Sequence, residues 1–435
     1  MHSLFFIIAA ALLTFNSPNP GSSVAKEKIL ENPYYAGGTF CLYDFDAASE
    51  QTPAPKGYEP VYISHYGRHG ARYLEDNEYI DAVMKVMRRG HSGHALTPYG
   101  EHLYSRLEDF MKVQAANIGN LSTIGVGQHR RIAENTFETY PEVFKGKVIA
   151  ISTPYDRCVQ SMESFCTGLL QKNPKLEITM DSGPQYCDYL NPHLSMGPNW
   201  KGVSPHKSIF YRVDEWGQFT LPTLISHEVP CRKIIERIFK EYQFVREWDD
   251  PHQFLFYLYH AVVNVCDIPE KFDFSDVFTP EELYGLWRSY NFYMYNTYGP
   301  GRYQDVEILE HIVYKADEDL ARNEPFARLR FGHDTIVMSI LWMLNADHMG
   351  EKPSDALHIE DYFQSYRITM ASTIILAFYK NKTGDILMKC TLNGQELELS
   401  DLTAVSGPYY RWSDLRKYCI DFLEKHKLSS APVRN

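Results

Sequence analysis

Beyond its first 25 residues, the sequence contains no apolar run long enough to cross a bilayer, which takes about 20 consecutive apolar residues. It also has no excess of positive charge, because 43 Lys and Arg stand against 55 Asp and Glu, for a formal net charge of −12. This balance argues against a nucleic-acid partner and against binding to an anionic membrane surface. The chain shows neither an internal repeat nor a low-complexity tract.

Closely spaced cysteine pairs of the Cys-x-x-Cys kind, typical of zinc and redox sites, are missing too. In an oxidising compartment the cysteines could form up to four disulfides, whose pairing the sequence does not give. We therefore expect structural disulfides or buried thiols rather than chemistry at cysteine. Histidines between His193 and His311 are scattered without ligand spacing, so we predict no metal site. The eight cysteines are Cys41, Cys158, Cys166, Cys187, Cys231, Cys266, Cys390 and Cys419.

Residues 1–25 resemble a secretory signal peptide. Leu4 to Phe15 form an apolar run too short to span a bilayer comfortably, and Ser23 and Ala25 are small residues placed like a cleavage site. No Lys or Arg precedes the run, so an uncleaved anchor is the alternative. We predict an exported protein, secreted or periplasmic, with no membrane insertion once the signal is removed.

A basic motif follows a segment that has the composition of a buried strand. Val61 to Ser64 combine β-branched and aromatic residues, and Arg68, His69, Gly70 and Arg72 come next. If this segment turned helical, the two arginines would share one face. Two guanidinium groups beside an imidazole suit a dianionic oxygen cluster such as phosphate, and a glycine lets a bound group approach the backbone closely. By composition alone, a surface run at a helix start explains the motif equally well.

Two later segments place polar side chains at the ends of further predicted strands. Lys147 to Ser152 predicts a buried strand, and the helix start at Ser152-Thr153-Pro154 puts Arg157 in its first turn. Ala327 to Phe331 predicts another strand, followed by Gly332-His333-Asp334-Thr335. Ligands of open α/β sheets gather at the carboxyl ends of strands, so we expect these side chains to lie near the first motif. Taken singly, they could be a surface arginine, a core histidine and a helix cap.

Together the motifs resemble the signatures of the histidine acid phosphatases, a branch of the histidine phosphatase superfamily. Arg68-His69-Gly70-Ala71-Arg72 and the late pair His333-Asp334 carry the resemblance, which extends over most of the mature chain. It implies an α/β fold, a sandwich domain with a central, mostly parallel sheet flanked by helices, plus a mostly α-helical inserted domain. It also implies His69 as the nucleophile and Asp334 as the general acid. The phosphate ligands would be Arg68, Arg72, Arg157 and His333.

The remaining segments fill in this layout. Residues 26–172 and 304–435 would form the α/β domain, and residues 173–303, where strand-like segments are fewer, the helical insertion. Helices are expected from Leu96 to about Ala116 and from Leu121 towards Tyr140. A long helix is expected from Asp355 to Lys380, and a C-terminal helix from Ser413 to His426. Between these two helices, Asn393-Gly394 predicts a hairpin turn.

The chemistry implied is hydrolysis of a small phosphomonoester through a phosphohistidine, with no metal or cofactor. Positive charge around His69 should lower its pKa, which keeps the nucleophile neutral in mild acid, where Asp334 is more readily protonated. We therefore predict an acidic optimum. A non-catalytic phosphate-binding protein and a phosphomutase are alternatives from other classes. The natural substrate and the oligomeric state do not follow from the sequence.

The substrate class is predicted from departures within the family pattern. The stretch from Gln128 to Phe144 resembles inositol-polyphosphate-phosphatase-like members, which usually carry His-Ala-Glu where this chain has His333-Asp334. Glu75, Asp76 and Glu78, most simply a solvated face, would also oppose a very highly charged substrate. A broad acid phosphatase is thus the first prediction, and a phytase or inositol polyphosphate phosphatase the second.

Overall fold

The computed structural model describes residues 23–47, 50–192, 210–300, 305–322 and 324–427, and its centre is one mixed β-sheet. The central strands β3, β2, β4 and β1 are parallel to one another, whereas β5 runs antiparallel to β1 and β6 antiparallel to β5. This mostly parallel centre confirms the predicted fold class. In sheet order the strands are β3 (Glu177–Ser182), β2 (Lys147–Ser152), β4 (Phe326–Gly332), β1 (Tyr58–Arg68), β5 (Thr373–Asn381), β6 (Ile386–Leu392) and β7 (Gln395–Glu396), with β8 (Tyr410–Arg411) paired to β6.

Helices surround the sheet, and several begin at a side chain that caps them. Thr97, Ser122 and Thr279 each accept a hydrogen bond from a backbone N–H of the first turn, as N-caps do. The α-helices are α1 (Val24–Glu31), α2 (Glu78–Ser92), α3 (Pro98–Ala115), α4 (Thr123–Thr139), α5 (Asp156–Lys172), α6 (Cys187–Leu190), α7 (Leu221–Glu228), α8 (Cys231–Ile238), α9 (Tyr242–Trp248), α10 (Pro251–Val263), α11 (Pro280–Tyr298), α12 (Val306–Leu320), α13 (Asp334–Met343), α14 (Ile359–Tyr362) and α15 (Trp412–Lys427).

Both faces of the sheet are buried, and β1 shows how its side chains divide between them. Ile63 faces a core that also contains Ile132 of α4 and Phe165 of α5. Tyr62 and Tyr66 lie in the larger core on the other side, together with residues of α12 and α13. Adjacent strand residues point to opposite faces, so a strand covered on both sides is apolar almost throughout.

The predicted long helix from Asp355 to Lys380 is wrong. The segment forms short helical turns at Ala356–His358, Ile359–Tyr362 and Ser365–Arg367 and then enters β5 at Thr373. Every residue from Thr373 to Tyr379 is buried, because β5 lies between β1 and β6 and is covered on both faces. A continuous apolar run of this kind suits a buried strand as well as a buried helix, and periodicity does not separate them.

One strand of the sheet lies within the predicted insertion, residues 173–303. Glu177–Ser182 forms β3, which pairs in register with β2 and extends the sheet into that range. Helices α7 to α11 follow it in the chain. They pack on α2 and α3, which precede the insertion in the chain, through contacts such as α2 with α10 and α3 with α8. The division into two domains stays a prediction.

The start of the chain bears on the predicted signal peptide. Residues 1–22, most of the predicted signal peptide, lie outside the described part, whereas Ser23 caps α1 and Ala25 is buried within it. No helix in the described ranges is long and apolar enough to span a bilayer.

All eight cysteines lie in the described part of the chain. They are free thiols and mostly buried, so of the two expectations the structure supports buried thiols and not disulfides.

Candidate active site

Three parallel strands end at the same edge of the sheet, and each delivers part of the predicted site. In the sheet register, Arg68 of β1 pairs with Gly332 of β4, and Ser152 of β2 pairs with Phe331. His69, His333 and the segment leading to Arg157 therefore leave the sheet side by side. The structure thus brings together all six residues that the sequence singled out.

The backbone around the motif differs from the expected geometry in two places. No helix follows Arg68, which is the last residue of β1, so Arg68 and Arg72 converge from a strand end and a loop. The helix that carries Arg157 begins at Asp156, not at Pro154 as predicted. Both differences arise at strand ends: three residues separate β2 from α5, and Arg72 lies in the longer loop between β1 and α2.

The ring of His69 is fixed in one tautomer. Its backbone N–H donates to the carbonyl of Gly332 at 2.9 Å, and its Nδ1 lies 3.0 Å from the carbonyl oxygen of Gly70. A carbonyl can only accept, so Nδ1 carries the proton and Nε2 keeps its lone pair. Burial, reinforced by Arg157, Arg68 and Arg72, holds the pKa of His69 well below its ordinary value. Nε2 therefore keeps a lone pair on a neutral ring, which could accept a hydrogen bond or attack an electrophile.

The guanidinium group of Arg68 is held by two backbone carbonyls and one carboxylate. Its Nη1 donates to the carbonyls of Thr39 and Ile368, and its Nη2 lies 2.8 Å from Oδ2 of Asp334. The Arg68 side chain is almost completely buried, whereas that of Asp334 is partly exposed. Thr39 is the penultimate residue of a 3₁₀ segment, Pro33–Phe40, and no motif in the sequence marks its contact with Arg68.

Arg72 and Arg157 come together around one carboxylate. Glu75 Oε1 lies 2.6 Å from Nη2 of Arg157, and Glu75 Oε2 lies 3.4 Å from Nη2 of Arg72. Partial desolvation of Glu75 favours the neutral acid, but the two guanidinium groups outweigh it and lower the pKa of Glu75 to about 2. Glu75 is therefore not simply part of a solvated acidic face, as expected, because it also pairs with two arginines of the site.

His333 completes the basic cluster as a neutral imidazole. Its ring stands nearly perpendicular to that of His69, with centroids 5.7 Å apart, and its backbone N–H donates to Tyr66 Oη at 3.0 Å. Burial, and after it the charge of Arg157, lowers the pKa of His333 to about 3. Such a ring can offer one N–H to a bound anion without adding a charge.

A buried carboxyl group that the sequence did not single out lies behind the cluster. Asp267 is fully buried, accepts from the Asn264 amide at 2.9 Å and keeps its second oxygen without a hydrogen bond. Burial raises the pKa of Asp267 well above its ordinary value, although Arg72 and Arg68 act in the opposite direction. It sits in a 3₁₀ turn, Asn264–Asp267, without a motif that marks it in the sequence.

Gly70 and Gly125 allow two backbones to touch. A Cβ on Gly70 would lie 2.6 Å from Gly125 Cα, and a Cβ on Gly125 would lie 2.3 Å from the Ala71 carbonyl oxygen. The same loop is tied to neighbouring helices, since Gly70 N–H donates to Ser161 and Ala71 N–H to Gln128. Gly70 is therefore needed for contact with α4, and its expected role in the approach of a ligand to the backbone stays a prediction.

A cavity of about 140 Å³ opens in front of the cluster. Arg68, Arg72, Glu75, Asp76 and Asp334 line one part of it. Aromatic side chains from the 3₁₀ segment Pro33–Phe40, α2 and α11 line the rest, among them Phe40, Tyr79, Tyr290, Tyr293 and Tyr298.

Two further observations concern cations. Arg130 and Arg131 of the adjacent helix α4 are exposed, and Arg131 lies over the ring of Phe45. Within the described ranges, no group of three or more His, Cys, Asp and Glu is arranged to hold a metal ion.

Solved structures share this fold over most of the chain. The multiple inositol polyphosphate phosphatase of Bifidobacterium longum, in complex with inositol hexasulfate, superposes with a TM-score of 0.71 at 16% identity, over 88% of this chain and 96% of that one. The phytase of D. castellii gives a TM-score of 0.63 at 16% identity, over 96% of this chain and 90% of that one. The chain thus has the fold of the histidine acid phosphatases, as the sequence motifs predicted.

The other comparisons gave no match, either to a family model or to a curated protein.

Proposed function

We propose that the protein is a histidine-type phosphomonoester hydrolase, a broad acid phosphatase. The observation that carries the proposal is the position of His69. Its imidazole is buried close to three arginines, and its Nδ1–H donates to the carbonyl of Gly70. A site that only binds phosphate would need the cations, but it would not need a histidine held in one tautomer. The arrangement suits a nucleophile that must stay neutral beside positive charge.

In the first step, His69 Nε2 attacks phosphorus, the bond from phosphorus to the ester oxygen breaks, and Asp334 gives its proton to the departing alcohol. Arg68, Arg72, Arg157 and His333 stabilise the charge on the remaining phosphoryl oxygens. In the second step, water attacks phosphorus and gives a proton to the Asp334 carboxylate, and the bond from phosphorus to His69 Nε2 breaks. Inorganic phosphate leaves, and His69 is neutral again.

We further propose an acidic optimum and an exported enzyme. The lowered pKa of His69 supports the first, because the nucleophile remains unprotonated in mild acid. The apolar run from Leu4 to Phe15 supports the second. Phytase or inositol polyphosphate phosphatase activity is the second candidate, favoured by the solved structures of those names that share the fold.

Phosphate release from p-nitrophenyl phosphate and from phytate, across pH 3 to 8 and with a chelator present, tests the proposal. We expect turnover of the monoester that resists the chelator and peaks below neutrality. A preference for phytate would select the second candidate. Tight phosphate binding without turnover of either ester would instead indicate a binding protein.

A further inference from the structure

The carboxylate of Glu75 occupies a place in the phosphate clamp. It contacts Arg157 at 2.6 Å and Arg72 at 3.4 Å, and these are two of the three arginines proposed to hold the phosphoryl oxygens. Both arginine side chains are less than a tenth exposed, whereas that of Glu75 is 55% exposed. Two buried guanidinium groups thus have as their shared counter-ion a side chain that is more than half exposed to solvent.

We propose that Glu75 is a specificity-determining residue that competes with phosphate for Arg72 and Arg157 and disfavours substrates carrying a second phosphate beside the one being cleaved. The inference rests on the proposed function and deepens it. A phosphoryl group entering the clamp must displace the carboxylate from the arginines. The carboxylate then stays at the mouth of the site, because it is only three residues from Arg72 in the chain.

The charges around the cavity point the same way. Among the side chains that line it, Arg68 and Arg72 carry permanent positive charge, and both belong to the clamp. Glu75, Asp76 and Asp334 are acidic, and five of the other lining residues are Phe or Tyr. A second phosphate next to the first would meet carboxylates and rings, and like charges at close range in a partly buried site are destabilising.

The competition persists at the pH at which the enzyme should work. The pKa of Glu75 lies at about 2, since the arginines outweigh the effect of burial, so mild acid does not remove its charge. Replacing Glu75 with glutamine, which is neutral and has the same shape, is therefore the informative substitution.

The test compares Glu75→Gln with a matched control, Asp76→Asn. Asp76 is exposed and lines the same cavity, and its Oδ1 accepts from the N–H of Glu78, the first residue of α2, a bond that asparagine can keep. Each variant removes one negative charge from the mouth, but only Glu75→Gln removes the charge paired with the arginines. Inorganic phosphate binding is titrated calorimetrically, and kcat/KM is measured for p-nitrophenyl phosphate and phytate.

We expect Glu75→Gln to bind inorganic phosphate about fivefold more tightly, the factor that corresponds to ~1 kcal/mol. The ratio of kcat/KM for phytate to that for p-nitrophenyl phosphate should rise several-fold, and more than in Asp76→Asn. Unchanged or weaker phosphate binding, an equal gain in Asp76→Asn, or an unchanged substrate ratio would overturn the inference. A wild type that hydrolyses neither ester would overturn the proposed function, and the phosphate titration would still decide whether Glu75 competes.

Discussion

The carboxylate of Asp334 lies 2.8 Å from the guanidinium of Arg68, so the proposed acid is oriented by a proposed phosphate ligand. Arg68 ends β1 and pairs in register with Gly332, two residues before Asp334. The contact therefore joins the ends of two adjacent parallel strands. It places the carboxyl group beside the clamp, where the ester oxygen of a bound substrate would lie.

Replacing Asp334 with asparagine should affect poor leaving groups most. An alkyl alkoxide needs a proton as the bond breaks, whereas p-nitrophenolate leaves without one, so we expect kcat for glycerol phosphate to fall on the order of 10²- to 10⁴-fold. The loss for p-nitrophenyl phosphate should be much smaller. Steady-state kinetics on both esters measure the difference, with the exposed Asp109→Asn as a control. An equal loss on both would argue against Asp334 as the acid.

Replacing His69 with alanine should abolish turnover and leave the fold intact. We expect kcat to fall by at least about 10³-fold, since the residue removed is the nucleophile itself. Rapid mixing of the wild type with a radiolabelled ester, followed by an alkaline quench, should trap a phosphohistidine that His69→Ala lacks. The exposed His358→Ala serves as the control. A trapped phosphoenzyme in His69→Ala would assign the nucleophile to another residue.

The buried His129 should make the protein less stable in acid. Burial lowers its pKa to about 3, whereas in the unfolded chain it takes up a proton near pH 6.5. Between these values only the unfolded state is protonated, so stability falls as the pH falls, by about 2 kcal/mol between pH 6.5 and pH 5.

Urea denaturation of the wild type and His129→Gln at these two pH values tests this contribution. The free energy of unfolding should decrease less on acidification in the variant. His65, whose pKa burial also lowers to about 3, remains in both proteins and cancels in the comparison. Equal decreases would show that His129 is not the source.

Gly125→Ala should destabilise the protein and disturb the site, because the added Cβ would lie 2.3 Å from the Ala71 carbonyl oxygen. Backbone atoms must shift to relieve such a clash, at a cost of typically 1–3 kcal/mol in the free energy of unfolding, about the range for overpacking. Thermal melting and kcat measure both effects.

Gly127→Ala is the matched control in the same helix. A Cβ there meets no atom within 4 Å, and alanine favours a helix interior over glycine by roughly 0.5–1 kcal/mol. We expect this variant to be as stable as the wild type or more so. If Gly125→Ala were equally harmless, the proposed packing of α4 on the motif would be wrong.

Local signals predicted the elements that depend on few residues. The hairpin at Asn393-Gly394 forms with positive φ at both positions, as the Asn-Gly pair predicted. The capping box at Thr279 begins α11, and the C-terminal helix extends from Trp412 to Lys427. The predicted long helix failed because the apolar run from Thr373 to Tyr379 has no period that separates a strand from a helix.

The sequence by itself determined the residue types at the three strand ends, and with them the expectation of a phosphate site. Each of these side chains follows its strand closely in the chain, so local patterns suffice to find them. Only the tertiary structure decided which groups come together from distant segments: Thr39 at Arg68, Asp267 behind the arginines, Glu75 across to Arg157. These contacts depend on packing between segments far apart in sequence or on the path of a loop, and neither leaves a periodic signal.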